Sequence, residues 1–129
     1  MYEMKDEYYT GIEMIDNEHR RLFEIAEETY QVSKNDFLVD KYDQVKHVLT
    51  ELRNYTLMHF EHEEEYMESI DYNQMFIQKV QHDAFRKKVE DWDLDHLDEN
   101  SDAMVNEILE FLTSWLINHI LEHDKQIAE

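Results

Sequence analysis

His59-Phe60-Glu61-His62-Glu63-Glu64-Glu65-Tyr66-Met67 is the stretch on which the reading of this chain turns. Within it, His59 and Glu63 stand four residues apart. On a helix that spacing puts both side chains on one face, one turn from each other. An imidazole and a carboxylate so placed can reach a single metal centre, and helical bundles build iron and manganese sites from such pairs. In a run this acidic, the same pair also arises as two solvated surface groups. The flanking sequence decides between the two.

Upstream, Val45, Val48, Leu49, Leu52, Tyr55 and Thr56 lead into His59 and Glu63 at helical spacing, which predicts a helix over about 40–69. Before it, Leu22, Phe23, Ile25, Ala26 and Tyr30 predict an amphipathic helix over about 16–35, with Asp16 as its N-cap and His19 in its first turn. Residues 1–15 lack a clean period, are interrupted by Gly11, and read as an extended arm laying its aromatics on the body. Downstream, Ile70-Asp71-Tyr72-Asn73 breaks the chain. A third helix over about 73–92 then presents Met75, Gln78, His82, Phe85 and Val89 on its inner face. Asp93 to Asn100 is a polar loop, and Asn100 or Ser101 caps a fourth helix over about 101–127. Its stripe is Val105, Ile108, Leu109, Leu112, Trp115, Leu116, His119 and Ile120.

Composition agrees with an all-α chain. Of 129 residues one is Gly and none is Pro, leaving little to punctuate strands or hairpins. The length fits a single domain, 1–129, with a real core. A formal charge of −20 argues against nucleic acid or an anionic membrane surface as partner. Without cysteine there is neither a disulfide nor a thiolate ligand. The N-terminal residues carry no apolar signal region, and no run is long enough to span a membrane, so a cytoplasmic location is expected.

Four helices with short connections imply an antiparallel up-down-up-down bundle. In that topology the start of the first helix, the end of the second, the start of the third and the end of the fourth share one end. His19, His59 with Glu63, Gln78 with His82, and His119 with Asp124 then fall in one layer. Burying such a set without a cation would strand several polar and charged groups. Histidine and carboxylate donors without cysteine point to iron or manganese ahead of structural zinc.

These residues resemble the hemerythrin family, its bacterial members in particular. The matching motifs are Gly11-Ile12 and Ile15-Asp16-Asn17-Glu18-His19 leading to Leu22-Phe23; His59-Phe60, Glu63-Glu64 and Met67; His82-Asp83-Ala84-Phe85; and Trp115-Leu116-Ile117-Asn118-His119-Ile120 with Asp124. The resemblance covers residues 11–124. It implies a non-haem centre of two iron ions joined by an oxo or hydroxo bridge. By position, His19 and His59 bind one iron, His82 and His119 the other, and Glu63 and Asp124 bridge them. Oxygen is expected at an open position on the iron of His19 and His59, drawing two electrons from the pair. Trp115, Leu116 and Ile120 are expected to form an apolar wall that excludes water.

One position departs from the family pattern: Gln78 stands where the family has a third histidine on the second iron. Three outcomes are open. Gln78 coordinates weakly through its oxygen, or water or an exogenous anion takes the place, or His123 swings in from one turn beyond His119. The second is favoured, with His123 left as an exposed residue. His62, His47 and His96 read as solvated.

The function implied is oxygen binding for storage, transport or scavenging, without enzymatic activity. Two other classes remain beside it. One is a sensor of O2, NO or redox state acting in trans on a protein partner that the sequence does not identify. The other is a di-iron enzyme reducing peroxide or NO, or oxidising ferrous iron.

Overall fold

The computed structural model describes residues 2–98 and 101–128. Four long helices carry the fold: α1 (Glu13–Ser33), α2 (Lys41–Ser69), α3 (Met75–Glu90) and α4 (Asp102–His119). They pack as an antiparallel four-helix bundle, with no strand among the described residues. Beyond α4 the chain runs through a π-helical turn, Ile120–Asp124, into a last α-helical turn, α5 (Lys125–Ile127).

Each helix buries the stripe that its periodicity marks out. Leu22, Ile25 and Ala26 of α1 meet Val45, Leu49 and Leu52 of α2, Phe85 and Val89 of α3, and Val105, Leu109 and Leu112 of α4 in the main core. A second, smaller apolar cluster of Ile15, Met67 and Ile127, with Ile12, Met14, Tyr66, Tyr72 and Met75 against it, closes one end of the bundle.

The N-terminal arm is shorter than 1–15. α1 begins at Glu13, and the preceding residues hold one 3-10 turn, Asp6–Tyr8. Tyr8 is buried and stacks on Phe23 at 5.5 Å, while Tyr2 packs edge-on against Tyr30. Asp16 is therefore not the N-cap, which is Ile12. Its carboxylate instead accepts the Thr10 N–H and hydroxyl, each at 2.8 Å, and the Gly11 N–H at 2.9 Å. Gly11 turns the arm with φ of +89°, a conformation that suits a residue without Cβ. At the other helix starts, Ser101 is the N-cap of α4 without a side-chain bond. Asn100, its alternative, lies outside the described residues.

α2 ends in a Schellman motif. The Tyr72 N–H reaches the Met67 carbonyl at 2.9 Å, and the Asp71 N–H reaches the Glu68 carbonyl at 3.2 Å. Asp71 takes the left-handed position with φ of +51°, a place usually given to Gly or Asn. Tyr72 joins Met67 in the end cluster, supplying the apolar contact of the motif. This stop brings α3 back at once, with His82 beside Glu63 and Glu64.

Candidate metal centre

Between the main core and the end cluster lies a buried polar layer. Two of its residues show the tiers within a single helix: His19 lies between Ile15 and Leu22, and Glu63 between Phe60 and Met67. His19, His59, Glu63, Gln78, His82, His119 and Asp124 are all at most 3% exposed. They form two four-residue groups, His19 with His59, Glu63 and Asp124, and His82 with His119, Glu63 and Asp124. The two carboxylates are common to both.

How each carboxylate is shared can be read atom by atom. Glu63 Oε2 lies 3.2 Å from His59 Nε2 and 3.8 Å from His19 Nε2. Its other oxygen, Oε1, lies 3.1 Å from His82 Nε2 and 3.8 Å from His119 Nε2. Asp124 divides likewise, Oδ2 to His19 Nε2 at 3.1 Å and Oδ1 to His119 Nε2 at 3.1 Å. One oxygen of each carboxylate faces each pair of imidazoles. The same arrangement could hold two metal ions side by side.

A regular α-helix would not bring Asp124 to His119. Five residues at 3.6 per turn carry the side chain about 140° away. The π turn between them widens the helix, so five residues come close to one turn and Asp124 faces inward with His119.

Apart from His82 Nε2, 3.1 Å from His119 Nε2, and Asp124 Oδ1, which accepts from Gln78, the donor atoms are close without being aligned as hydrogen bonds. Both Glu63 oxygens, Asp124 Oδ2, His59 Nε2 and both His19 nitrogens have no hydrogen-bond partner among the described residues. Buried polar groups are rarely left so. Contacts of 3.1–3.8 Å that converge on shared points suit groups that donate to cations between them, so the residues fit a metal pair.

Electrostatics agree. Burial alone would depress the His59 pKa, yet Glu63, Glu18 and Asp124 overcome it and push it up to about 10. His119, also opposed by burial, is pushed up to about 9 by Asp124 and Glu63. Against a burial penalty, the histidines hold Glu63 well below the usual carboxylate range. Asp124 is lowered too, by His119 and His19 against burial and the Glu63 charge. Without metal, protons on imidazoles balance the two carboxylates.

Further carboxylates orient two of the imidazoles. Glu18 accepts from His59 Nδ1 at 2.9 Å with one oxygen and from His62 Nδ1 at 2.6 Å with the other. Glu64 Oε2 accepts from His82 Nδ1 at 2.9 Å and from Arg86 at 2.8 Å. A carboxylate can only accept, so each Nδ1 carries the proton and each Nε2 is aimed at the centre. Glu18 and Glu64 stand in the quoted motifs without a role, because acidic neighbours of His19 and Glu63 look like surface charge, and Arg86 is missed by sequence reasoning altogether. His62 is not simply solvated: it is partly exposed but tied to Glu18. His123 is half-buried, its ring 5.2 Å from His119, and it stands outside both groups.

Apolar rings cover the core side. Phe60 lies flat on His82 at 4.0 Å and Trp115 flat on His119 at 4.6 Å. Leu116 and Ile120 are buried among them, and Trp115 is partly buried. A narrow cavity one turn further into the core is lined by Leu22, Thr56, Phe85, Trp115 and Leu116 among others. Thr56 and Thr113, also on its wall, turn their hydroxyls to the Leu52 and Leu109 carbonyls, so the lining is effectively apolar.

Comparison with known proteins agrees with this geometry. Residues 10–129 match the model of the hemerythrin HHE cation binding domain. The chain is 45% identical to a bacteriohemerythrin of Clostridium acetobutylicum over 129 residues, all of both chains. It is 31% identical to one of Stenotrophomonas maltophilia, over 97% of this chain and 78% of the relative. One from Pseudomonas aeruginosa is 29% identical over 93% of this chain and 74% of the relative. A buried pair of four-residue donor groups sharing two carboxylates, in an antiparallel four-helix bundle, thus sits in a chain that belongs to the hemerythrin family, whose members bind oxygen at a di-iron centre.

Proposed function

We propose that this chain, as a single hemerythrin-like domain over 1–129, binds oxygen reversibly for storage, transport or scavenging, and does not turn it over. In this reading His19 and His59 would hold one iron, His82 and His119 the other, and Glu63 and Asp124 would be shared between them. The observation that carries it is the division of the two buried carboxylates, each giving one oxygen to each imidazole pair. A ferrous pair held there supplies the two electrons that retain oxygen.

The chain's own contribution is orientation and exclusion. Glu18 and Glu64 fix the rings of His59 and His82, so that their Nε2 atoms face the centre and the rings need no turning on binding metal. Trp115, Leu116 and Ile120, with Phe60, form the apolar side of the pocket. They leave few polar atoms to bring water to the centre, which slows oxidation of the iron pair.

Metal analysis followed by anaerobic reduction and admission of air tests the reading. Two irons per chain and an oxygen-dependent charge-transfer band that disappears under vacuum are expected. Zinc, or one metal per chain, would overturn the di-iron assignment. A second reading, as a sensor or a di-iron oxidoreductase acting on NO or peroxide, draws on Gln78, which leaves the second iron with two imidazoles. Rapid conversion to the diferric form without the reversible band, with added peroxide consumed, would favour it.

A further inference from the structure

We infer that the metal held by His82 and His119 has its own site for an exchangeable protic ligand, with the side-chain carbonyl of Gln78 as the acceptor that selects it. The inference rests on the di-iron reading and goes beyond it, since it concerns the metal other than the one expected to take oxygen.

Three observations lead there. Gln78 stands one turn before His82 on α3, is 1% exposed, and donates from Nε2 to Asp124 Oδ1 at 3.1 Å. An ionised carboxylate only accepts, so the amide can face it in one way, with NH2 toward Asp124 and Oε1 turned from it. Oε1 is then a buried acceptor with no partner among the described residues. Third, the group around this metal offers two imidazoles and the carboxylate oxygens. Two-histidine carboxylate sets leave coordination positions open on non-haem iron.

Turning Oε1 onto the metal would break the bond to Asp124 and strand a buried NH2, at the full desolvation cost of that group. Gln78 is therefore better used as a hydrogen-bond acceptor beside the open position. What satisfies it is a small ligand carrying O–H or N–H, such as water, hydroxide or a hydroperoxide. An aprotic anion meets the carbonyl lone pair and binds more weakly. Gln78 acts here through the ligand and through Asp124, as a positioning residue.

Azide is the probe, titrated into diferric protein whose iron content has first been measured, and followed by its charge-transfer absorption. Two equivalents are expected in the unaltered chain, one of them about tenfold weaker than the other for want of a hydrogen. Gln78→Leu should still take two and narrow that gap, because the repelling carbonyl is gone. Gln78→His should take one, with the new imidazole filling the position. An unaltered chain with two irons that takes only one azide, as the Gln78→His chain does, overturns the inference. A second readout needs no metal: in metal-free, 15N-labelled protein the Gln78 side-chain NH2 should be shifted and protected, and Asp124→Ala, which removes the acceptor, should abolish the shift. A freely exchanging NH2 would also overturn it. Iron below two per chain would count against the di-iron reading alone, leaving the amide readout to decide the orientation.

Discussion

Glu18 and Glu64 show how single residues adjust a centre they do not enter. Each lies next in sequence to a candidate ligand, His19 or Glu63, and each takes the Nδ1–H of an imidazole on a neighbouring helix. Removing such a partner typically weakens metal binding about 10- to 100-fold. Glu64→Ala should release one of two metals preferentially to a chelator, and so should Glu18→Ala; equal retention by variant and unaltered chains would show that packing alone orients the rings. The pKa directions give a second prediction. His59 and His119, raised to about 10 and about 9, are protonated at neutral pH in the metal-free chain. Metal must displace those protons, so loading at pH 7 should release about two per chain, and affinity should rise as pH climbs toward those values. Calorimetry in buffers of different ionisation enthalpy counts them, and zero net release would refute the protonated state.

At the scale of elements, two local devices hold the layer in place. Asp16 ties the arm to α1 by three hydrogen bonds. Asp16→Ala should cost about 2 kcal/mol, since it leaves two backbone N–H groups without their acceptor. Thermal unfolding of the metal-free protein measures it, and an unchanged midpoint would mean that the arm is held by its aromatics alone. In the α2–α3 turn, Asp71 adopts a conformation that costs an L-residue energy and glycine almost none. Asp71→Gly should stabilise the protein by about 0.5–1 kcal/mol, unless the aspartate side chain supports the turn, in which case the midpoint falls. These two places also show where sequence reading stops. The His59 and Glu63 pair is legible because i, i+4 spacing survives in a regular helix. His82 follows from the same periodicity and from the bundle's up-down order. Asp124 is less legible: at five residues from His119 it leaves the regular α-helical face, so its depth in the bundle and the family motif mark it in advance while the helical period does not. Asp16 has the chemistry of an N-cap, yet its carboxylate reaches backward to the arm, because α1 starts three residues earlier. The role of Glu18 depends on which helix lies opposite, a fact held by the tertiary structure alone.

Across the whole molecule, charge and layering oppose each other. A formal charge of −20 on 129 residues repels itself in the compact state. Raising salt from about 10 mM to about 150 mM shortens the screening length from about 30 Å to about 8 Å. The unfolding midpoint should therefore rise with sodium chloride, and a flat response would show that the carboxylates are already balanced by local pairs. None of the helices among the described residues is long and apolar enough to cross a membrane. What stabilises the bundle is its stack of apolar core, polar layer and apolar end cluster, the middle tier being the one whose charge balance changes with metal. The two tryptophans occupy different places in that stack. Trp115 lies face to face on His119, whereas Trp92 packs edge-on against Phe111 in the main core. Emission from Trp115 should be quenched when the neighbouring imidazole binds an open-shell ion, and that from Trp92 much less. The protein thus contains both an indicator and its reference, and its steady-state fluorescence can follow loading while the fold stays intact.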